Sequence, residues 1–297
     1  MPRLEGIIAA IPTPFDANED LHLEALRFNL GRWNQTALSG YTVLGTTGEF
    51  VSLTTDEKKE VLETAREIVP QDRVFVAGTG GESTRETLEL TRWVSGIGAD
   101  YAILITPHYN RRSFTVSGIV DHYHRIAEAS PIPIVVYHIP VCTGLSLEPS
   151  TVAKIAEHRN VAGIKDSSGD VFALQEYKRL CREDFAILTG SASILLAALT
   201  AGARGAILAD ACLAWDLPAA LQEAFDASDL DRARAIQTRM VALQRVAVAR
   251  YGIPGIKATL DHMGFYGGPP RRPLQPVDAQ AKAELAAVWD ASREGGR

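Results

Sequence analysis

Short, wholly apolar runs recur along the chain, each followed by a longer stretch in which apolar residues return every three or four positions. The runs begin near Ile7, Tyr41, Val74, Tyr101, Ile134, Val161, Phe185 and Ala206. None alternates between apolar and polar, so each predicts a strand buried on both faces, as a parallel sheet covered by helices requires. The stretches between them carry helix starts, and Thr54-x-x-Glu57 and Ser83-x-x-Glu86 both predict capping boxes. Eight strand–helix units predict an α/β chain closed into a (β/α)8 TIM barrel. A doubly wound open sheet is the alternative; Pro12-Thr13-Pro14-Phe15, after the first strand, is not the glycine loop it would need. Beyond the eighth unit, residues 217–249 predict two more helices and residues 277–293 another, around a segment rich in glycine and proline at 264–273. The expected organisation is a barrel over residues 1–215 and a helical extension packed on it over residues 216–297, with a frayed end at 294–297.

Composition narrows the function. With 46% hydrophobic and 22% charged residues, the 297-residue chain has the makings of a large core. A net charge of −6 leaves no electrostatic footprint for nucleic acid or an anionic membrane. Apolar stretches such as Ile194–Leu199 are too short to span a bilayer. Cys142, Cys181 and Cys212 are widely spaced, which predicts neither a disulfide framework nor a metal site. The first residues lack signal-peptide architecture, so a cytoplasmic location is expected. His122 and His124 read as surface residues of a helix without a metal partner.

Lys165 stands out. Val161-Ala162-Gly163-Ile164 delivers it to the carboxyl end of a buried strand, ahead of the turn-like Asp166-Ser167-Ser168-Gly169-Asp170. Barrel enzymes act at the carboxyl ends of their strands, and a lysine there is placed for Schiff-base chemistry. The other lysines (58, 59, 154, 178, 257 and 282) lie in helical segments and read as solvated. An unperturbed lysine is neutral in only about one part in 2,500 at pH 7, so a nucleophilic one needs a desolvating site. Its attack on a ketone yields a carbinolamine whose hydroxyl must leave as water. A proton donor is therefore required, and Tyr137, one strand away, is the candidate. The second strand ends in Gly45-Thr46-Thr47-Gly48-Glu49, whose hydroxyls and amides suit a carboxylate. The fourth ends in Thr106-Pro107-His108-Tyr109-Asn110, and His138, beside Tyr137, is a candidate for tuning the pocket.

Together, Gly45-Thr46-Thr47-Gly48-Glu49, Tyr109, Tyr137-x-x-Pro140 and Gly163-Ile164-Lys165-Asp166-Ser167 resemble the dihydrodipicolinate synthase/N-acetylneuraminate lyase superfamily over essentially the whole chain. The resemblance implies a class I aldolase-type lyase, a homotetramer, acting through a covalent imine on Lys165 with no metal and no organic cofactor. It implies that Tyr137 is the catalytic tyrosine. Thr46 and Thr47 would relay protons and hold the substrate carboxylate, and Tyr109 would reach a neighbouring subunit's site. Gly190 and Ile207 would line the pocket.

Dihydrodipicolinate synthases carry an arginine where this chain has Cys142 in Tyr137-His138-Ile139-Pro140-Val141-Cys142-Thr143-Gly144, and a thiol cannot make a bidentate contact with a carboxylate. Gly48-Glu49-Phe50, Ser130-Pro131-Ile132-Pro133, Tyr251-Gly252-Ile253-Pro254-Gly255 and the segment from Gly264 to Pro269 resemble 4-hydroxy-2-oxoglutarate aldolase instead. The expected reaction is therefore cleavage of 4-hydroxy-2-oxoglutarate to pyruvate and glyoxylate. The alternatives are condensation of pyruvate with aspartate semialdehyde, turnover of a longer 2-oxo-3-deoxy sugar acid, and non-catalytic binding of a 2-oxo acid. Arg111 and Arg112 are expected at the mouth of the site or in a subunit contact.

Overall fold

The computed structural model describes residues 2–294. Eight parallel strands close into a barrel in chain order, β8 pairing back onto β1. They are β1 (Gly6–Ala10), β2 (Gly40–Val43), β3 (Val74–Gly78), β4 (Tyr101–Ile105), β5 (Ile134–His138), β6 (Val161–Asp166), β7 (Ala186–Thr189) and β8 (Gly205–Leu208). Strand residues point alternately inward and outward. Ile8, Val76, Ile103, Val135, Leu188 and Ile207 belong to the cluster that fills the barrel, whereas Leu104, Val136 and Ile164 pack outward under the helices. Both faces being apolar explains the unbroken hydrophobic runs.

The helices that follow the strands are α1 (Leu23–Trp33), α2 (Thr55–Ile68), α3 (Thr84–Gly96), α4 (Val116–Ala129), the short α5 (Pro140–Thr143), α6 (Pro149–Ala156), α7 (Val171–Leu180), α8 (Leu195–Thr200) and α9 (Asp216–Asp226). Of the two expected capping boxes, Thr54 and Glu57 form both reciprocal bonds at the start of α2. At α3 the Ser83 side chain accepts from the Glu86 amide. The chain continues through α10 (Leu230–Leu243), a π-helical stretch over Gln244–Arg250, α11 (Gly252–His262) and α12 (Ala279–Glu294). Because α9 packs on β1 and α8, it is the helix of the eighth barrel unit. The division expected at 215/216 thus falls inside that unit, and the extension proper begins with α10. Residues 295–297 of the expected frayed end lie outside the described residues. No helix among those described is long and apolar enough to cross a membrane.

Candidate active site

Strand register places the two central side chains. Tyr137 on β5 is the direct partner of Lys165 on β6, and His138 of Asp166. Inward-facing Lys165 is 4% exposed, and its Nζ lies 4.2 Å from the centre of the Tyr137 ring. The Tyr137 hydroxyl in turn lies 3.2 Å from Thr46 Oγ1, which leaves the turn after β2. Amine, phenol and a second hydroxyl thus form one chain at the carboxyl end of the barrel. A small cavity beside it is lined by Leu44, Gly45, Gly78, Gly80, Ile105 and Tyr137. A roomier cleft, lined by Arg3, Ser39, Asp72, Arg73, Arg204 and Asp226, opens at the opposite, amino end of the strands, away from these groups.

The turn after β2 leaves donors unspent. Gly48 and Glu49 donate their amides within it, to the carbonyls of Gly45 and Thr46, while the Thr46 and Thr47 amides have no backbone acceptor among the described residues. Thr47 is buried, and Thr13 closes the turn by donating its hydroxyl to Gly48 O over 2.7 Å. Two free amides with two hydroxyls make a concave donor surface of the kind that binds carboxylates. On the far side of Lys165, a Cβ at Gly190 would collide with Ser167 Oγ and lie 3.0 Å from Lys165 Cε. Glycine there keeps room for the lysine side chain. Ile207 is fully buried in the barrel interior.

Tyr109 is not drawn into this cluster: the residue is 82% exposed. Its loop is nevertheless fixed, because Glu82 accepts from the Tyr109 amide over 2.9 Å and from the His108 amide over 3.0 Å. Cys142 is exposed, yet close enough for the Lys165 charge to pull its thiol down against the opposing and larger effect of desolvation. The net shift is upward, which keeps it a thiol rather than a thiolate nucleophile.

Several expectations change. His138 does not face the pocket. It points outward, donating from Nδ1 to Asp166 Oδ2 over 2.8 Å and accepting at Nε2 from the Leu147 amide over 3.1 Å. That pattern defines a neutral imidazole with its proton on Nδ1. Tyr177 of α7 donates to the same carboxylate over 2.8 Å, and Ser168 completes the shell. Burial opposes the charge on Asp166, but the bonds from His138 and Ser168 outweigh it and hold the carboxyl below its ordinary range. Tyr177 is pushed up by burial and then by Asp166. His122 is buried, not on the surface: its Nδ1 lies 2.9 Å from Thr84 Oγ1, and burial pulls it down to about 4. His124 is half-buried against the carbonyl of Lys154.

Lys257 is the largest departure from expectation. Far from solvated, it is 1% exposed and pairs with the equally buried Glu49 at 2.6 Å. Sequence reasoning also passed over Asp210, beyond the end of β8, whose carboxyl burial pushes up to about 7. Among the described residues, no group of three or more histidine, cysteine, aspartate or glutamate side chains is placed to hold a metal ion.

Relatives carry the same arrangement of the chain. The dihydrodipicolinate synthetase family matches residues 3–292. A 4-hydroxy-tetrahydrodipicolinate synthase from Exiguobacterium sp. is 34% identical over 97% of this chain and 98% of its own. Among solved structures, dihydrodipicolinate synthase from Thermotoga maritima superposes with a TM-score of 0.91 at 31% identity, covering 97% of this chain and 98% of that one. N-acetylneuraminate lyase from Proteus mirabilis superposes with a TM-score of 0.90 at 27% identity, covering 98% and 99%.

Proposed function

The chain belongs to the dihydrodipicolinate synthetase family and is a carbon–carbon lyase, and we propose that it works through an imine between Lys165 and pyruvate. The observation that carries this reading is the buried Lys165, 4.2 Å from the ring of a tyrosine whose hydroxyl meets Thr46. Neutral Lys165 Nζ attacks C2 of pyruvate while the turn at Thr46 and Thr47 holds the C1 carboxylate. Tyr137 gives its proton to the carbinolamine hydroxyl, which leaves as water, and recovers one through Thr46. Loss of a C3 proton from the iminium gives an enamine, whose C3 forms a bond to the aldehyde carbon of the second substrate as the aldehyde oxygen takes a proton from Tyr137; water then hydrolyses the regenerated iminium and frees Lys165. Read backwards, the same steps cleave a 4-hydroxy-2-oxo acid.

The names of the relatives favour aspartate semialdehyde as that second substrate, and so the synthase direction. Arg111 supports it. The residue at 142 offers only a thiol, but a Cβ at Gly144 would lie 3.0 Å from Arg111 Nε, so a guanidinium rests against the same turn. No acidic side chain pairs with Arg111 among the described residues, which leaves it free for a second carboxylate. Cleavage of 4-hydroxy-2-oxoglutarate to pyruvate and glyoxylate is the second reading, favoured by Cys142 itself. Soluble cytoplasmic action as a homotetramer, with Tyr109 of one copy at another's site, goes with either.

Borohydride reduction in the presence of pyruvate, read by intact-protein mass, should add one reduced pyruvyl group to the wild type and none to Lys165→Ala. An adduct of equal yield on Lys165→Ala would end the proposal. Assays of pyruvate consumption with aspartate semialdehyde and of pyruvate release from 4-hydroxy-2-oxoglutarate then separate the two readings. The faster, Lys165-dependent reaction identifies the substrate.

A further inference from the structure

The turn that offers Thr46 and Thr47 is bracketed by two residues in the left-handed region, Leu44 at φ 62° and Glu49 at φ 53°. Neither is glycine, and such conformations cost of order 1 kcal/mol or more each, so they persist only where the surroundings over-determine them. At Glu49 the source of that constraint is visible. Its Oε1 meets Lys257 Nζ at 2.6 Å, both side chains being 1% exposed, and its Oε2 accepts from the Arg271 amide over 2.9 Å. Lys257 is fixed in turn by donation to Pro269 O over 2.9 Å and by the Phe15 ring, 4.4 Å away. Lys257 and Arg271 belong to the extension beyond α10, so this anchor comes from the far end of the sequence.

A buried ion pair is a poor device for stability, since well-packed apolar residues of similar volume often do as well; its best-attested use is to select one arrangement among several. Here the arrangement selected is the residue next to Gly48. We propose that Glu49 and Lys257 are positioning residues: the extension holds the Thr46–Gly48 turn in its strained form and so sets the affinity for the 2-oxo acid carboxylate without touching it. The inference rests on the reading of that turn as the carboxylate site.

The test is the pyruvate dependence of borohydride trapping on Lys165, read alongside thermal unfolding. It compares the wild type with Glu49→Gln and with the double variant Glu49→Met/Lys257→Met, in which neither charge is left buried alone. The pyruvate concentration giving half-maximal trapping should rise about tenfold or more in both variants, while trapping at saturating pyruvate reaches the wild-type level. A merely structural pair would lower the unfolding midpoint and leave half-saturation unmoved. Unchanged half-saturation in either folded variant overturns the proposal. A wild type that traps no pyruvate breaks the underlying site reading instead, so the two failures are distinguishable.

Discussion

Lys165 and Tyr137 stand on neighbouring strands and are placed by backbone register; Thr46 and Thr47 stand on a loop and are placed by charges from another part of the chain. Behind the first pair, His138, Asp166 and Tyr177 join β5, β6 and α7 with hydrogen bonds around a single carboxylate. Every member comes from two consecutive barrel units. Around the second pair, Glu49 and Glu57 are gripped by Lys257 and Arg271 of the extension. The difference follows from what can drift. A strand residue cannot shift by one position without turning its side chain to the opposite face. A loop can relax through a few backbone rotations, and only strong, long-range contacts prevent it. The lysine side should therefore control rate, and the turn side affinity.

The largest effect that could break this division is at the bridge between the two regions. Tyr137→Phe removes the proposed acid and should slow turnover roughly 10²–10⁴-fold with little change in pyruvate half-saturation. Thr46→Val keeps the shape but removes one hydroxyl from the relay and from the carboxylate site, so it should raise half-saturation as well as slow turnover. Steady-state kinetics on both variants decide. Near-normal turnover in Tyr137→Phe would remove it from the mechanism, and a pure rate effect in Thr46→Val would assign that residue wholly to the lysine side.

A smaller effect lies behind the proposed nucleophile. Asp166→Asn leaves the volume unchanged but removes the charge that accepts from His138, Tyr177 and Ser168. Bonds to a charged acceptor are the stronger kind, so a loss of roughly 1–3 kcal/mol in unfolding free energy is expected by urea titration at pH 7. The native Asp166 carboxyl is held low, so its contribution is present above the ordinary carboxylate range and fades as pH falls through it. The difference between wild type and variant should shrink accordingly in acid. Pyruvate half-saturation should stay put; a tenfold rise would erase the distinction between the two regions.

Much of the lysine side was legible in the sequence because its parts are local. The apolar runs ending in Tyr137 and Lys165 gave the strands, and the order of strand ends made the two residues neighbours. What register adds is direction: His138 and Asp166 alternate to the outside, which is why His138 tunes no pocket directly. The turn side was legible only as far as Thr46 and Thr47. Glu49 reads as the last letter of a motif, and its partner lies on α11, too far along the chain for spacing to connect them. A signal did exist. Lys257 follows Ile256 and precedes Leu260 by three positions, on the apolar face of its helix, where a lysine must find a partner or pay for burial. The sequence places α9 in the extension because it reads like any amphipathic helix; only its contact with β1 shows that it closes the ring.

The smallest expected effect marks where the turn-side anchor ends. Glu57 accepts from Arg271 Nη1 and Nη2 over 2.9 and 2.7 Å, and these hydrogen bonds, against some cost of burial, lower its carboxyl from 4.5 to about 2. A folded-state value below the unfolded one means that the pair stabilises the protein above about pH 4.5 and that this contribution disappears between there and about pH 2. Solvent reaches both partners, so screening leaves roughly 1 kcal/mol at neutral pH. Glu57→Gln preserves the hydrogen-bonding side chain that completes the α2 capping box and removes only the charge. Urea titrations stepped down from pH 7 should show the variant about 1 kcal/mol less stable at neutral pH, the difference shrinking below pH 4.5 and nearly gone only at about pH 2. A difference that ignores pH would mean that packing, not charge, holds Arg271. Pyruvate half-saturation should not move, because the Arg271 amide that reaches Glu49 belongs to the backbone and survives the loss of its side-chain partner. If half-saturation rises as it should in the Lys257 double variant, the anchor extends out to the rim, and the ion pair at Glu49 is only its innermost link.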